Sequence, residues 1–229
     1  MSGGSASQIP SPRSRIPTVP KDLRTQLQAR AARLDLDVPA AVFEPLERYF
    51  LLLKRWNARI NLTALGLENP TEATFDRLLF EPLAAASLVP TGSCTWFDLG
   101  SGGGSPAVPL KLMRPRTRLT MVDSKARKAA FLREVVRGLD LPHARVENAR
   151  FEELARKPEN IGIAQLVTVR AVKPDHDLFD AAGMLLANGG TLMLLGAEED
   201  LAAGRGFVAQ DAVRAGKHPA FKLRLFRRR

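Results

Sequence analysis

The feature that most limits the fold is a short apolar run followed at once by an acid and a glycine cluster: Cys94-Thr-Trp-Phe97, then Asp98-Leu-Gly-Ser-Gly-Gly-Gly-Ser105. Glycines at positions 100, 102, 103 and 104 permit positive φ and let a ligand approach the backbone closely. The apolar run reads as a buried strand. Beyond the glycines, Ala107-Val-Pro-Leu-Lys-Leu-Met113 reads as a helix, because Pro109 is tolerated in a first turn. A glycine turn between strand and helix lies at the carboxyl edge of a sheet, where open α/β folds bind ligands. The spacing of Gly100, Gly102 and Gly104 differs from the G-x-G-x-x-G dinucleotide fingerprint, and the absence of Gly-Lys-Ser/Thr excludes a P-loop. A second strand, Arg118 to Val122, closes on Asp123. That acid can accept hydrogen bonds from ribose hydroxyls and stands about 20 residues beyond the turn, where a ribose ligand is placed in such sheets.

The rest of the chain repeats this alternation. Lys125 to Leu139 is an amphipathic helix with Ala129, Leu132, Val136 and Leu139 inward and stop signals at Gly138 and Pro142. Ala144 to Glu147, Gln165 to Val169 and Thr191 to Leu195 read as further strands with helical stretches between them. The pattern implies right-handed crossovers and a Rossmann-like α/β parallel sheet with helices on both faces. Phe221 to Phe226 alternates apolar and basic residues, the mark of a final edge strand. Upstream the pattern is helical: one helix starts near Asp22, and a second follows Pro39 and ends near Trp56. A third spans Thr71 to Leu88 and is kinked or interrupted at Pro82. Residues 1–20 are rich in Ser, Gly and Pro without apolar periodicity and read as a disordered tail. The expected organisation is a tail over 1–20, an N-terminal helical region over 21–90 and the Rossmann-like core over 91–229.

Composition narrows the partners. A lone cysteine, Cys94, excludes a disulfide framework and Cys-type zinc sites, and no Cys/His cluster or carboxylate pair suggests another metal. No apolar stretch approaches the roughly 18 residues of a membrane span, and no apolar signal core begins the chain, so a soluble cytoplasmic protein is expected. The formal net charge is +10. Its basic residues cluster after Arg214 and again over Lys111 to Lys128, which favours a polyanionic partner over a merely solvated surface.

The run D-x-G-x-G-x-G at the end of the first strand resembles motif I of the S-adenosylmethionine-dependent methyltransferases; a nicotinamide enzyme is the physical alternative. Further stretches resemble one family, the bacterial glucose-inhibited division protein B, or 16S ribosomal RNA 7-methylguanosine methyltransferase G. They are Lys54-Arg-Trp-Asn-Ala-Arg-Ile-Asn-Leu-Thr63, Asp98 to Leu110, Val122 to Glu134, Ala149-Arg-Phe-Glu-Glu153 and Val169-Arg-Ala-Val172. They occur in the family's order over most of residues 40–200. The resemblance implies a cofactor site of Asp98, Gly100, Gly102, Gly104, Ser105, Asp123, Ser124, Phe151, Glu152 and Arg170. In it Asp123 takes the ribose, Phe151 and Glu152 flank the adenine, and Arg170 is the catalytic residue at the mouth. Asn61, Arg77, Lys125, Arg127 and Lys128 are the implied RNA contacts. Trp56 and Asn57 read as anchors of the helical part against the sheet. Asn61 and Thr63 read equally as local caps or target contacts.

The sequence departs from the family where R-H-x-x-D-S becomes Arg77-Leu-Leu-Phe-Glu-Pro82, and where a lysine is replaced by Leu195. These changes bear on the RNA-facing side. The implied reaction is methyl transfer from S-adenosylmethionine to 16S ribosomal RNA, naked or in the small subunit, at N7 of guanine 527. Guanine N7 carries a free lone pair and needs no general base. Two alternatives remain: a methyltransferase-like binding protein impaired in turnover by Leu78 and Leu195, and a small-molecule methyltransferase.

Overall fold

A computed structural model describes residues 21–196, 201–210, 213–214 and 221–229; the tail read over 1–20 lies outside them. Among the described residues eight strands form a single sheet in the order β3-β2-β1-β4-β5-β8-β6, with β7 also paired to β8. They are β1 Thr95–Leu99, β2 Arg118–Val122, β3 Ala144–Glu147, β4 Ala164–Arg170, β5 Leu186–Leu195, β6 Phe207–Ala209, β7 Val213–Arg214 and β8 Lys222–Arg228. The first five are parallel and β8 runs antiparallel to β5. The chain leaves β1 toward β2 and β3, then returns to its other side as β4. The switch point therefore lies between β1 and β4, and the crevice at their carboxyl ends is where the fold places a ligand.

Strand periodicity builds two cores. Trp96, Met121, Leu166, Met193, Leu223 and Leu225 face one side, with the helices α1 Lys21–Arg33, α2 Ala40–Ile60, α5 Ala107–Met113 and α6 Ala126–Gly138. Phe97, Leu99, Val167, Leu192, Leu194 and Phe226 face the other, with α7 Phe151–Ala155 and α8 His176–Leu185. Side chains two residues apart share a face of a strand, so each strand serves both layers. The N-terminal helices share the first of these cores with the sheet. Arg24 holds the fully buried Glu47 through two bonds of 2.8 and 3.0 Å. Arg55 and Trp56 Nε1 both reach Glu134 on α6, and Trp56 packs on Phe131 with ring centroids 5.8 Å apart. The tryptophan thus ties α2 to the sheet layer.

Several boundaries differ from the sequence reading. Helix α2 continues past Trp56 to Ile60, because Asn57 Oδ1 accepts from the backbone of Leu62 and Thr63 and so closes the helix one turn later. Strand β5 starts at Leu186 rather than Thr191; its Asn-Gly-Gly stretch lies inside the strand, where β4 shifts register. Strand β8 is not an edge. Its alternation was legible, but β6 and β7 are too short to show a pattern, and they cover its outer side. The basic stretch from Lys111 is also less exposed than its composition suggests. Lys111 is buried, with Nζ donating to the carbonyls of Pro115 and Thr117, and burial lowers its pKa to about 8. Arg114 is spent on the carbonyls of Ala86, Val89 and Met113.

The helical run Glu72–Ala85 is interrupted ahead of Pro82, by a π turn over Asp76–Phe80 between α3 Glu72–Phe75 and α4 Glu81–Ala85. The Glu81 N–H donates to Asp76 O, five residues back, which frees the Arg77 carbonyl. Pro82 has no N–H to offer, which frees the Leu78 carbonyl. Both are taken by the sheet layer: Arg170 at the end of β4 donates to Arg77 O, and Ser105 Oγ donates to Leu78 O at 2.8 Å. Arg170 Nη2 also meets Glu81 at 2.8 Å, a pair in which both side chains are 8% exposed. Removing one partner of a buried pair leaves an uncompensated charge. Glu81→Ala should therefore lower unfolding free energy by about 3–5 kcal/mol in urea titration. A loss under about 1 kcal/mol would mean that the pair does not hold α4 to the sheet.

Candidate cofactor site

The glycine turn is clasped from both sides. Gly102 N–H donates to Asp123 Oδ2 at 2.9 Å, and Lys125 N–H donates to the other oxygen at 2.8 Å, so one carboxylate joins the ends of β1 and β2. Ser101 reinforces the link, its N–H donating to Val122 O and its hydroxyl accepting from Val122 N–H. On the opposite side the buried Tyr49 hydroxyl donates to Gly103 O at 2.7 Å. Gly104, at φ +85°, lies where a Cβ would come within 3.0–3.4 Å of Val108, Tyr49 and Leu132. Only glycine suits that position, because both the backbone and the packing refuse a side chain.

At the carboxyl ends of β1 and β2 a cavity of about 220 Å³ opens between Gly100, Asp123, Ser124, Phe151, Glu152 and Val172. Five of the ten cofactor residues read from the sequence meet there. Gly100 has φ +68°, and a Cβ on it would lie 2.5 Å from Val172 Cγ2. Gly102 and Gly104 shape the turn, and Asp98 lies beneath it at the end of β1. Ser105 and Arg170 do not line the cavity: Ser105 serves Leu78, and Arg170 is turned into the α4 contact, with Nε unpartnered among the described residues. Among the implied RNA contacts, Asn61, Arg77, Lys125 and Arg127 are exposed and Lys128 is half-buried, with Nζ beside Gly102. Leu78 and Leu195, the two departures, are buried in the core.

Asp98 is 1% exposed. Thr168, its register partner on β4, donates to Oδ1 at 2.5 Å and in turn accepts from Trp96 Nε1 at 2.8 Å. Oδ2 has no partner among the described residues. Burial raises the Asp98 pKa to about 6, against the opposing pull of the Thr168 and Ser101 hydroxyls and of Arg170. An unsatisfied buried carboxylate oxygen under a glycine cradle fits a cationic ligand, and Asp123 with Phe151 and Glu152 fits a nucleoside. S-adenosylmethionine carries both. Among the described residues there is no group of three or more metal-ligating side chains, and no helix is long and apolar enough to cross a membrane. The composition did not reveal the Trp96–Thr168–Asp98 chain, since it depends on the register of β1 against β4. Nor did it reveal Val172, an unremarkable valine until the loop after β4 carries it over Gly100.

Three outcomes follow for cofactor binding measured by calorimetry. Gly100→Val should stay folded and lose binding, since even its Cβ collides with Val172 and its backbone resists positive φ. Asp123→Ala should weaken binding by about 1–3 kcal/mol, and an affinity within twofold of wild type would remove Asp123 from the site. A positively charged cofactor favours ionised Asp98, so its affinity should fall as pH drops through about 6. The same titration bears on folding. Because the folded pKa lies above the ordinary 3.8, the folded state binds the extra proton between those values, and this group's contribution to stability weakens as pH rises from 3.8 to about 6. Asp98→Asn should remove both dependences.

Comparison with known proteins bears on the family and the fold. The family model described as rRNA small subunit methyltransferase G matches residues 43–218. The ribosomal RNA small subunit methyltransferase G of Stenotrophomonas maltophilia is 37% identical over 177 residues, covering 77% of this chain and 78% of that protein. That of Halorhodospira halophila is 36% identical over 175 residues, covering 76% and 79%. Among solved structures, a SAM-dependent methyltransferase from Aquifex aeolicus has TM-score 0.52 at 12% identity, covering 76% of this chain and 97% of that one. The putative methyltransferase yhhF of Escherichia coli also has TM-score 0.52, at 15% identity, covering 65% and 85%. At such identities the structures speak for the fold alone, a Rossmann-like α/β sheet. The sequence relatives decide the family: this chain belongs to the rRNA small subunit methyltransferase G family, S-adenosylmethionine-dependent methyltransferases of ribosomal RNA.

Proposed function

We propose that the chain methylates N7 of guanine 527 in 16S ribosomal RNA, in the cytoplasm, on naked RNA or on the small subunit. The observation that carries this reading is the 220 Å³ cavity at the β1/β2 edge, where Gly100, Asp123, Phe151 and Glu152 converge. Asp98, Gly102, Gly104 and Ser124 complete the cofactor set. Asp123, already tied to Gly102 and Lys125, keeps lone pairs for the ribose hydroxyls, and the ionised Asp98 offsets the ligand's positive charge.

The bound cofactor supplies an electrophilic methyl on a sulfonium. Held by Gly100, Asp123, Phe151 and Glu152, it would offer that methyl to the N7 lone pair, the S–C electron pair going back to sulfur and the positive charge to the purine. No proton moves, and neither His143 nor His176 lines the cavity at the ends of β1 and β2 or the one at the ends of β4 and β5. Alignment of the two reactants in a shielded site supplies the rate. The target guanine must be splayed out of its stack to present N7. Ser105 and Arg170 act as positioning residues by fixing the π turn against the sheet. Asn61, Arg77, Lys125, Arg127 and Lys128 bring phosphate-binding capacity to the same edge.

The test is methyl transfer from labelled S-adenosylmethionine to 16S RNA and to assembled small subunits, with the product located by cleavage at 7-methylguanosine. Incorporation at guanine 527 is the expected result. Incorporation at another atom or base would overturn the site assignment, and none in either substrate would favour an impaired binding protein.

A further inference from the structure

The edge of the sheet away from the cofactor cavity is strongly basic. The parallel strands β1–β5 begin there, and β8, antiparallel to β5, ends there. Arg116 and Arg118 lead into β2, while Arg227 and Arg229 stand at the end of β8, and all four are exposed. Two neighbours at this edge are used up by the fold, Arg114 on carbonyls of the 86–89 turn and Arg228 on Leu186 O. The four exposed arginines are not. Arg118 donates to Thr95 Oγ1 at 3.2 Å and Arg227 to Thr191 Oγ1 at 3.4 Å, each through a single nitrogen and to a neutral hydroxyl. In the loops at this edge the exposed acids among the described residues are Asp140 and Glu159. The cofactor edge, by contrast, mixes Asp123, Glu152, Glu153 and Asp175 with its cations.

The arginines form two groups with a neutral floor between them. From β2 to β8 the sheet order is β2-β1-β4-β5-β8. Four steps of about 4.8 Å put the two groups roughly 19 Å apart, a span comparable with the separation of the two backbones of a nucleic-acid duplex. The floor is made by Thr95, Gln165 and the Asn188-Gly-Gly stretch of β5, none of them charged. It is also low. Gly92 and Gly189 each have nothing within 4 Å of where a Cβ would stand, so no side chain there holds a partner away from the backbone.

Resting on the ribosomal RNA reading above, we propose that this amino edge is a second RNA-binding surface, which grips the two phosphate backbones of an RNA duplex. Double-stranded RNA is recognised by shape and by backbone contacts, and guanidinium forks suit phosphate oxygens. Strand β4 runs for seven residues from this edge to the cofactor edge, a length of roughly 20 Å. The gripped duplex is therefore a different segment from the one that presents the acceptor base. The protein sits between two segments of folded RNA, and remote binding energy then favours a folded substrate over a short one.

The experiment uses a plain RNA duplex of about 16 base pairs, the length contacted by domains that read duplex shape, together with 16S RNA and small subunits. Wild type is compared with Arg118→Gln/Arg227→Gln and with Arg59→Gln/Arg133→Gln, a charge-matched control on α2 and α6, with thermal unfolding as the check on folding. The amino-edge variant should bind the duplex about tenfold more weakly, the scale of two exposed charge contacts. Its salt slope should fall by about two units. KM for 16S RNA and for small subunits should rise, with kcat at saturating RNA and S-adenosylmethionine affinity kept, and the control should match wild type. Failure of the wild type to bind the duplex, unchanged duplex binding in the amino-edge variant, or an equal loss in the control would overturn the proposal. A rise in KM for subunits alone, with naked RNA and duplex unaffected, would assign the edge to an acidic protein and overturn it too. No methyl transfer by the wild type would overturn the methyltransferase reading, while duplex binding would still decide this one.

Discussion

The site depends on a helix that is broken in the right place. The π turn over Asp76–Phe80 and the missing N–H of Pro82 leave two consecutive carbonyls free, and the sheet layer fills them through Arg170 and Ser105. A hydrogen bond adds about 0.5–1.5 kcal/mol, and one from a charged donor about 1.5–3 kcal/mol, so the two bonds together hold the two layers in one register. The Glu81–Arg170 pair sits beside these bonds and adds charge to the same joint. As a result, one end of the β1 glycine turn and the end of β4 are fixed relative to each other. The proposed cofactor cavity opens on the same carboxyl edge, at the ends of β1 and β2.

The glycine turn is held in a second way. Asp123 bonds Gly102 and Lys125, while Tyr49 bonds Gly103 from α2. The turn is thus bonded by the strand beside it and by a helix from the N-terminal region. That region is more than an appendage: with α1, α2 and α4 it supplies much of the core on one face of the sheet. The Trp56–Glu134 contact shows the same logic further along α2. Two stretches that identify the family, around Trp56 and around Glu134, meet each other rather than a ligand.

Much of this was legible beforehand. The strand ends at Asp98 and Asp123, the glycine turn and the segment at Phe151 each carry a local signal, and they converge on one cavity because parallel strands put their carboxyl ends on one edge. The two residues that lie elsewhere, Ser105 and Arg170, were placed by their neighbours in sequence. Their side chains answer instead to Leu78, Arg77 and Glu81, between 27 and 93 residues away. The covered outer side of β8 was hidden for a related reason: β6 and β7 span three and two residues and carry no period to read.

The sequence by itself determined the alternation of strands and helices, the position of the ligand edge and the family. These follow from local periodicity, from the backbone freedom of glycine and from residue identity along short runs. Only the tertiary structure decided which basic residues are surface and which are framework. Lys111, Arg114 and Arg170 are consumed by buried carbonyls and a carboxylate, whereas Arg77 keeps its guanidinium exposed. Charge is a property of a residue, but its availability depends on what long-range packing sets against it. That is why the composition could point to a polyanion partner without showing which basic residues are left available to meet it.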